Sequence, residues 1–107
     1  MVLNKVLMTG ATGYIASQIL PPFKKRYEMV LVDSTDINKT GNQIPSINIR
    51  DLMGSDRNLY IDLFAGVDTV VHLAYKRDRG TDLKDHFLPE MENIGMAYNV
   101  LRTSYEA

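Results

Sequence analysis

Apolar residues fall in four short runs, separated by segments with the spacing of helices. Val6-Leu7-Met8 and Met29-Val30-Leu31-Val32 are continuous, as in strands buried on both faces. Ser46-Ile47-Asn48-Ile49 alternates, as in a strand near a sheet edge with one wet face. Val67 to Ala74 contains a fourth strand. Between the first two runs a helix is expected from near Gly13, with Ile15, Ile19 and Leu20 on one face. Pro21 and Pro22 should kink or break it, since an interior proline costs about 3 kcal/mol, leaving Phe23 to Arg26 as an irregular turn. Asn38 to Pro45, with Gly41, reads as a polar loop, and Ser55 to Phe64 as a short amphipathic helix. Leu59, Leu63 and Tyr60 would face inward there, with Gly66 just past the C-terminus. Leu83, Phe87, Met91, Ile94, Tyr98, Leu101 and Tyr105 form a long stripe spaced by three or four, which reads as core. Pro89 suits a first turn, so the regular helix is expected from about Leu88 to the end. Alternating strands and helices predict an α/β fold: a doubly wound parallel sheet of about four strands, order 3-2-1-4, with a long C-terminal helix.

Composition narrows the function classes. The 107 residues suffice for one domain, here 1–107. A net charge of −1 gives no basic surface for nucleic acid and no acidic tail. No cysteine is present, so disulfides and thiolate metal sites are excluded and a reducing compartment fits. No apolar run approaches the roughly 18 residues of a membrane span, so a soluble, cytoplasmic protein is expected.

The candidate chemistry lies where the first strand turns into the first helix. Gly10 allows a tight turn, and Gly13 lets backbone approach a ligand. The amides of the helix start can then face a pyrophosphate. Ala16, third in the pattern, is small enough for helix to pack on strand. Asp33 ends the second apolar run near the offset of about 20 residues at which a carboxylate binds an adenosine ribose. The bland alternatives are a tight turn that happens to contain two glycines, and a capping role for Asp33 within Asp33-Ser34-Thr35-Asp36. His72, inside an apolar run, reads as a packed core residue. Lys24-Lys25-Arg26 reads as a solvated helix end, and the charged segment Lys76 to Gly80 as a mobile loop.

Taken together, Thr9-Gly10-Ala11-Thr12-Gly13-Tyr14-Ile15-Ala16, Asp33, Asp51-Leu52, Val70-Val71-His72-Leu73-Ala74, Asn93-Ile94-Gly95 and Asn99-Val100-Leu101 resemble the first part of extended short-chain dehydrogenases/reductases, the NAD-dependent epimerase/dehydratase family. The resemblance implies a Rossmann-like fold that binds NAD. It places Gly10, Thr12, Gly13, Tyr14 and Ile15 at the dinucleotide and Asp33 at the ribose. Asp51 and Leu52 would lie at the adenine, Leu73, Ala74 and Tyr75 at the nicotinamide ribose, and Asn93 near the cofactor. The chain departs from the pattern at Ala16, where the family has its third glycine, and at Met96, where Gly95 is shifted by one. The prolines of the first helix and the Asn-Ile-x-x-x-Tyr-Asn pattern of Asn93 to Asn99 are similar to uronate dehydrogenases.

The family's proton transfer uses a Tyr-x-x-x-Lys pair. None of Tyr14, Tyr27, Tyr60, Tyr75, Tyr98 and Tyr105 has lysine four residues on. The expectation is the cofactor-binding part of a sugar or sugar-acid enzyme, inactive alone. A stand-alone nucleotide sensor or a self-associating module is the alternative. Without a fifth strand, the fourth strand's edge and the last helix would favour a homo-oligomer.

Overall fold

The computed structural model describes residues 4–54, 56–76 and 83–107, the first four of the last group by backbone alone. Strands β1 (Lys5–Thr9), β2 (Glu28–Asp33), β3 (Ile47–Ile49) and β4 (Thr69–His72) form one parallel sheet in the order β3-β2-β1-β4. Helix α1 (Tyr14–Arg26) joins β1 to β2, and α2 (Leu83–Glu106) follows β4. Leu7 pairs with Val30 and with Val70, so β1, like β2, is an internal strand, and Val6 to Thr9 are all buried.

Alternation along the strands sends neighbours to opposite layers. Met8, Leu31 and Val71 pack with Ala16 and Leu20 of α1. Leu7, Val32 and Val70 pack with Tyr60, Phe64, Met96 and Val100 on the other face. The result is a three-layer sandwich whose strand C-termini open at one end.

Four local expectations are corrected. First, α1 runs unbroken through both prolines. Pro21 and Pro22 are exposed, and the carbonyls they cannot serve belong to Ser17 and Gln18, also exposed, so water can take those bonds. The last turn closes with the Tyr27 N–H donating to the Phe23 carbonyl, and the two rings meet edge to face. Ile15, expected inward, is 61% exposed, while Ala16 and Leu20 face the sheet. Second, the segment before β4 is two single 3-10 turns, Arg57–Leu59 and Ile61–Phe64, with Tyr60 fully buried between them. Asp56 caps the first turn through the Asn58 N–H, and Leu59 points to solvent. Ser55 lies outside the described residues.

Third, α2 begins at Leu83, with Pro89 inside its N-terminal half. Fourth, its large-residue stripe is not core. Phe87, Met91, Ile94, Tyr98, Leu101 and Tyr105 are each at least half exposed, and Met96, Val100 and Thr103 on the opposite side are buried. The side chain of Leu83 and the charged residues 77–80 lie outside the described residues. Asn38 to Pro45 is a loop as expected. Asn38 Oδ1 accepts from the N–H of Thr40 and Asn42, and Ile37 bridges Gln43.

Candidate functional site

A cleft of about 730 Å³ opens at the C-terminal ends of the strands, within the usual size of small-molecule sites. Its floor is the turn from β1 to α1. Gly10 has φ +66°, and a Cβ there would stand 2.6 Å from the backbone N of Ala74 and 2.7 Å from the carbonyl carbon of Leu73. Both the turn and the close approach of the post-β4 segment require glycine.

That approach is held by one hydroxyl. Thr9 Oγ1 accepts from the N–H of Leu73 at 3.0 Å and of Ala74 at 3.1 Å. With both lone pairs used, its own proton is directed to His72 Nδ1, 2.6 Å away. His72 therefore accepts at Nδ1, and desolvation pulls its pKa below 6.5. The sequence reading of His72 as a packed residue agrees with this placement.

The amides of the glycine turn divide sharply. The N–H groups of Ala11, Thr12 and Gly13 donate to Val32 C=O, Asp33 Oδ2 and Gly10 C=O. The first intrahelical bond runs from Ser17 N–H to Gly13 C=O, and no side chain caps the helix. Tyr14, Ile15 and Ala16 thus present first-turn amides, at the positive end of the α1 dipole, to the cleft they line. No acidic side chain occupies that first turn. This arrangement suits an anion such as a pyrophosphate.

Asp33 is fixed against the same turn. Its Oδ2 takes both the N–H and the hydroxyl of Thr12, at 3.0 and 2.7 Å, and its Oδ1 takes the Ser34 N–H at 2.7 Å. Both the capping and the ligand-facing readings are thereby accommodated. Oδ1 also takes the Ser34 hydroxyl, at 3.5 Å, and this longer bond leaves Oδ1 the more open of the two oxygens in the cleft that Asp33 lines.

Asp51 and Leu52 form the far wall. Asp51 Oδ1 accepts from Met53 N–H, while Leu52 is buried in the core and still lines the cleft. Leu73, Ala74 and Tyr75 form the near wall, and the Tyr75 hydroxyl reaches Glu90 of α2 at 3.4 Å. Eleven of the twelve site residues expected from sequence come together here. Asn93 does not line the cleft; its side chain bonds the backbone of Lys76, which does.

Sequence reasoning did not pick out Ser34, Thr35, Ile37, Lys39, Arg50, Met53, Lys76 and Met96 as lining residues. Ser34, Arg50, Met53 and Lys76 each adjoin a residue that was picked out, and adjacency alone could have found them. Ile37 and Lys39 arrive because the loop folds back on itself, which no local pattern signals. Met96 and Ala16, the two departures from the family's glycine pattern, both face the cleft. Arg50 is paired with Asp62 at 3.3 Å and Lys76 with Glu92. Among the described residues no cluster of side chains could hold a metal ion, and no helix is long and apolar enough to cross a membrane.

Among curated proteins no sequence match is found. Solved structures do match. An L-threonine dehydrogenase from Clostridium difficile superposes with a TM-score of 0.75 at 21% identity, covering 99% of this chain and 34% of the other. A mutated uronate dehydrogenase gives 0.69 at 28% identity, covering 98% and 36%. The uronate dehydrogenase from Agrobacterium tumefaciens gives 0.69 at 22%, covering 99% and 38%. The chain thus spans little more than a third of the length of these enzymes. The family model described as NAD dependent epimerase/dehydratase family matches residues 6–107, and with the parallel sheet and the glycine turn already in view, this chain belongs to that family.

Proposed function

We propose that the cleft binds NAD and that the chain is the cofactor-binding part of a longer enzyme acting on a sugar or sugar acid. The observation that carries this reading is the glycine corner. A Cβ-free Gly10 lies under the Ala74 backbone, with uncapped α1 amides and the Asp33 carboxylate lining one cleft. In this reading the amides of Tyr14, Ile15 and Ala16 hold the pyrophosphate. Asp33 Oδ1 accepts from the adenosine ribose and disfavours a 2′-phosphate. Asp51 and Leu52 flank the adenine, and Leu73 to Tyr75 flank the nicotinamide ribose. The nicotinamide supplies hydride exchange. The chain's own residues orient it, and the proton-transferring pair is absent from this sequence, in which no tyrosine is followed by lysine at the fourth position. The match to a uronate dehydrogenase at 28% identity supports a sugar-acid substrate for the whole enzyme.

Calorimetric titration of the chain with NAD and with NADP tests the reading. NAD is expected to bind the more tightly. Tighter NADP binding overturns the role of Asp33, and no binding of either overturns the site. Reduction of NAD by the chain with sugar acids, above a blank, would overturn the expectation that it is inactive alone.

One observation favours a second property, self-association. Phe87, Met91, Ile94, Tyr98, Leu101 and Tyr105 recur at alternating steps of four and three, the seam of a coiled coil, and all are exposed. An antiparallel pair of α2 helices about a twofold axis near Met96 would set Phe87 against the partner's Tyr105, Met91 against the partner's Leu101 and Ile94 against the partner's Tyr98. Gly95 lies beside the crossing and has no neighbour within 4 Å of a Cβ placed there, so nothing within the chain itself needs it small. The accessible surface of 7401 Å² exceeds the roughly 6,000 Å² of a compact monomer of this size, in the direction an uncovered face requires. Pairing along β4, the strand at the sheet's edge with Val70 and Val71, is the other route to a dimer. A stable monomer by light scattering at high micromolar concentration would exclude both.

A further inference from the structure

The cleft's two walls come from distant parts of the sequence, the turn 51–54 after β3 and the segment 73–76 after β4. Helix α2 is bonded to both. Asn99 Nδ2 donates to the carbonyl of Leu52 at 2.8 Å and of Gly54 at 3.3 Å. Asn93 Oδ1 accepts from the Lys76 N–H at 2.6 Å, and its Nδ2 donates to the Lys76 carbonyl at 2.9 Å. Neither asparagine lines the cleft, whereas Met96, midway between them, does.

We propose that Asn93 and Asn99 are positioning residues that set the width of the cleft by tying each wall to one rigid helix. From position 93 to 99 an α-helix advances about 9 Å, a fixed spacer between the two ties. Other restraints act within or at the inner end of each wall, where Thr9 Oγ1 takes the Leu73 and Ala74 N–H groups and Asp51 takes those of Met53 and Gly54. Among the described residues, Lys76 also pairs its side chain with Glu92, another α2 residue, and the far wall also has the Tyr60 hydroxyl on Gly54 C=O. The hydrogen-bonding roles differ in a useful way. Asn99 acts only as a donor to two carbonyls, so a carboxylate in its place would repel both. Asn93 is donor and acceptor to one peptide, so truncation frees both of that peptide's groups. The inference rests on the dinucleotide reading for which ligand half meets which wall, and it adds that α2 governs the two halves separately.

The test uses the 107-residue chain, labelled with ¹⁵N, and titrates adenosine monophosphate and nicotinamide mononucleotide separately. N99D is expected to weaken adenosine monophosphate about tenfold, the worth of one or two lost hydrogen bonds, and to leave nicotinamide mononucleotide within about twofold. N93A is expected to do the reverse. Equal losses for both ligands in either variant, or no loss, overturn the proposal. A general loss of structure would move both ligands together, so the crossed pattern separates positioning from mere stability. If N99D does not fold, N99A is read the same way. If the unaltered chain binds neither mononucleotide, the dinucleotide reading fails by itself. The ties are then judged by hydrogen exchange. The amides of Met53 and Gly54 should exchange faster only in the Asn99 variant and that of Lys76 only in N93A; any other pattern overturns the proposal.

Discussion

The two helices of this chain solve the same problem differently. Helix α1 meets the sheet through Ala16 and Leu20, flanked by the partly buried Ile19 and Phe23, and turns Tyr14, Ile15 and two prolines to water. Helix α2 buries Met96, Val100 and Thr103, yet carries a larger apolar stripe on its free side. The first is complete within the chain. The second is apolar on two sides, only one of which meets the chain's own core. Periodicity reveals that a face exists. It does not reveal which of two faces meets the chain's own sheet.

Breaking the α1 corner should have the largest effect. Gly10→Ala places a methyl group 2.6 Å from backbone that cannot retreat, at a positive φ, and should cost several kcal/mol or abolish folding, read by urea denaturation. Gly95→Ala is its counterpart on α2 and should raise the stability of the isolated chain by up to about 1 kcal/mol while weakening self-association. Next come the two faces of α2. Val100→Ala, at a residue 1% exposed, should destabilise by about 2 kcal/mol. Leu101→Ala, its immediate neighbour at 72% exposed, should stay within about 0.5 kcal/mol. Equal costs at the two positions would refute the assignment of faces.

Ile94→Glu tests the free face itself. It should leave the denaturation midpoint of dilute chain nearly unchanged and shift light scattering toward monomer by at least about tenfold in dissociation constant, since a buried carboxylate would face its own copy. The smallest expected effect is the pH dependence carried by His72. Its pKa is held below the ordinary 6.5 by desolvation. The unfolded chain therefore binds the proton more readily, so this contribution is full above pH 6.5 and is lost as pH falls through the folded value. His72→Gln should flatten that part of the stability profile, just below pH 6.5; an unchanged slope would show that other groups set it.

The sheet was legible because β1 and β2 are apolar on both faces and few other structures tolerate that. The glycine corner was legible because φ and close approach leave glycine no substitute at position 10. Other features were not. The prolines of α1 read as breakers because the sequence does not say that Ser17 and Gln18, whose carbonyls lose their partners, lie on the exposed side of the helix. Ser55 to Phe64 read as one helix because Leu59 and Leu63 share a helical spacing, but Tyr60 is drawn fully inward to reach Gly54, and the chain makes two tight turns around it. Asn93 read as a cofactor residue because it matches the family's helix asparagine, and the sequence does not say that its side chain is taken up by the Lys76 backbone.

The parallel ladder has a consequence for the order in which the chain assembles. β1 meets β2 between partners roughly 23 residues apart, as Lys5 with Glu28, but meets β4 across 63, as Thr9 with His72. Closing the longer loop costs about 1 kcal/mol more chain entropy, and contacts of such separation slow folding. The Thr9 hydroxyl, with its three partners drawn from β4 and the residues just after it, is therefore expected to find them late. On a ribosome, where β4 emerges well after β1, α1 and β2, the interval is longer still. Pulse-labelled exchange should show the Leu7 and Leu31 amides protected before those of Leu73 and Ala74, and the reverse order would place the nucleus at the corner instead.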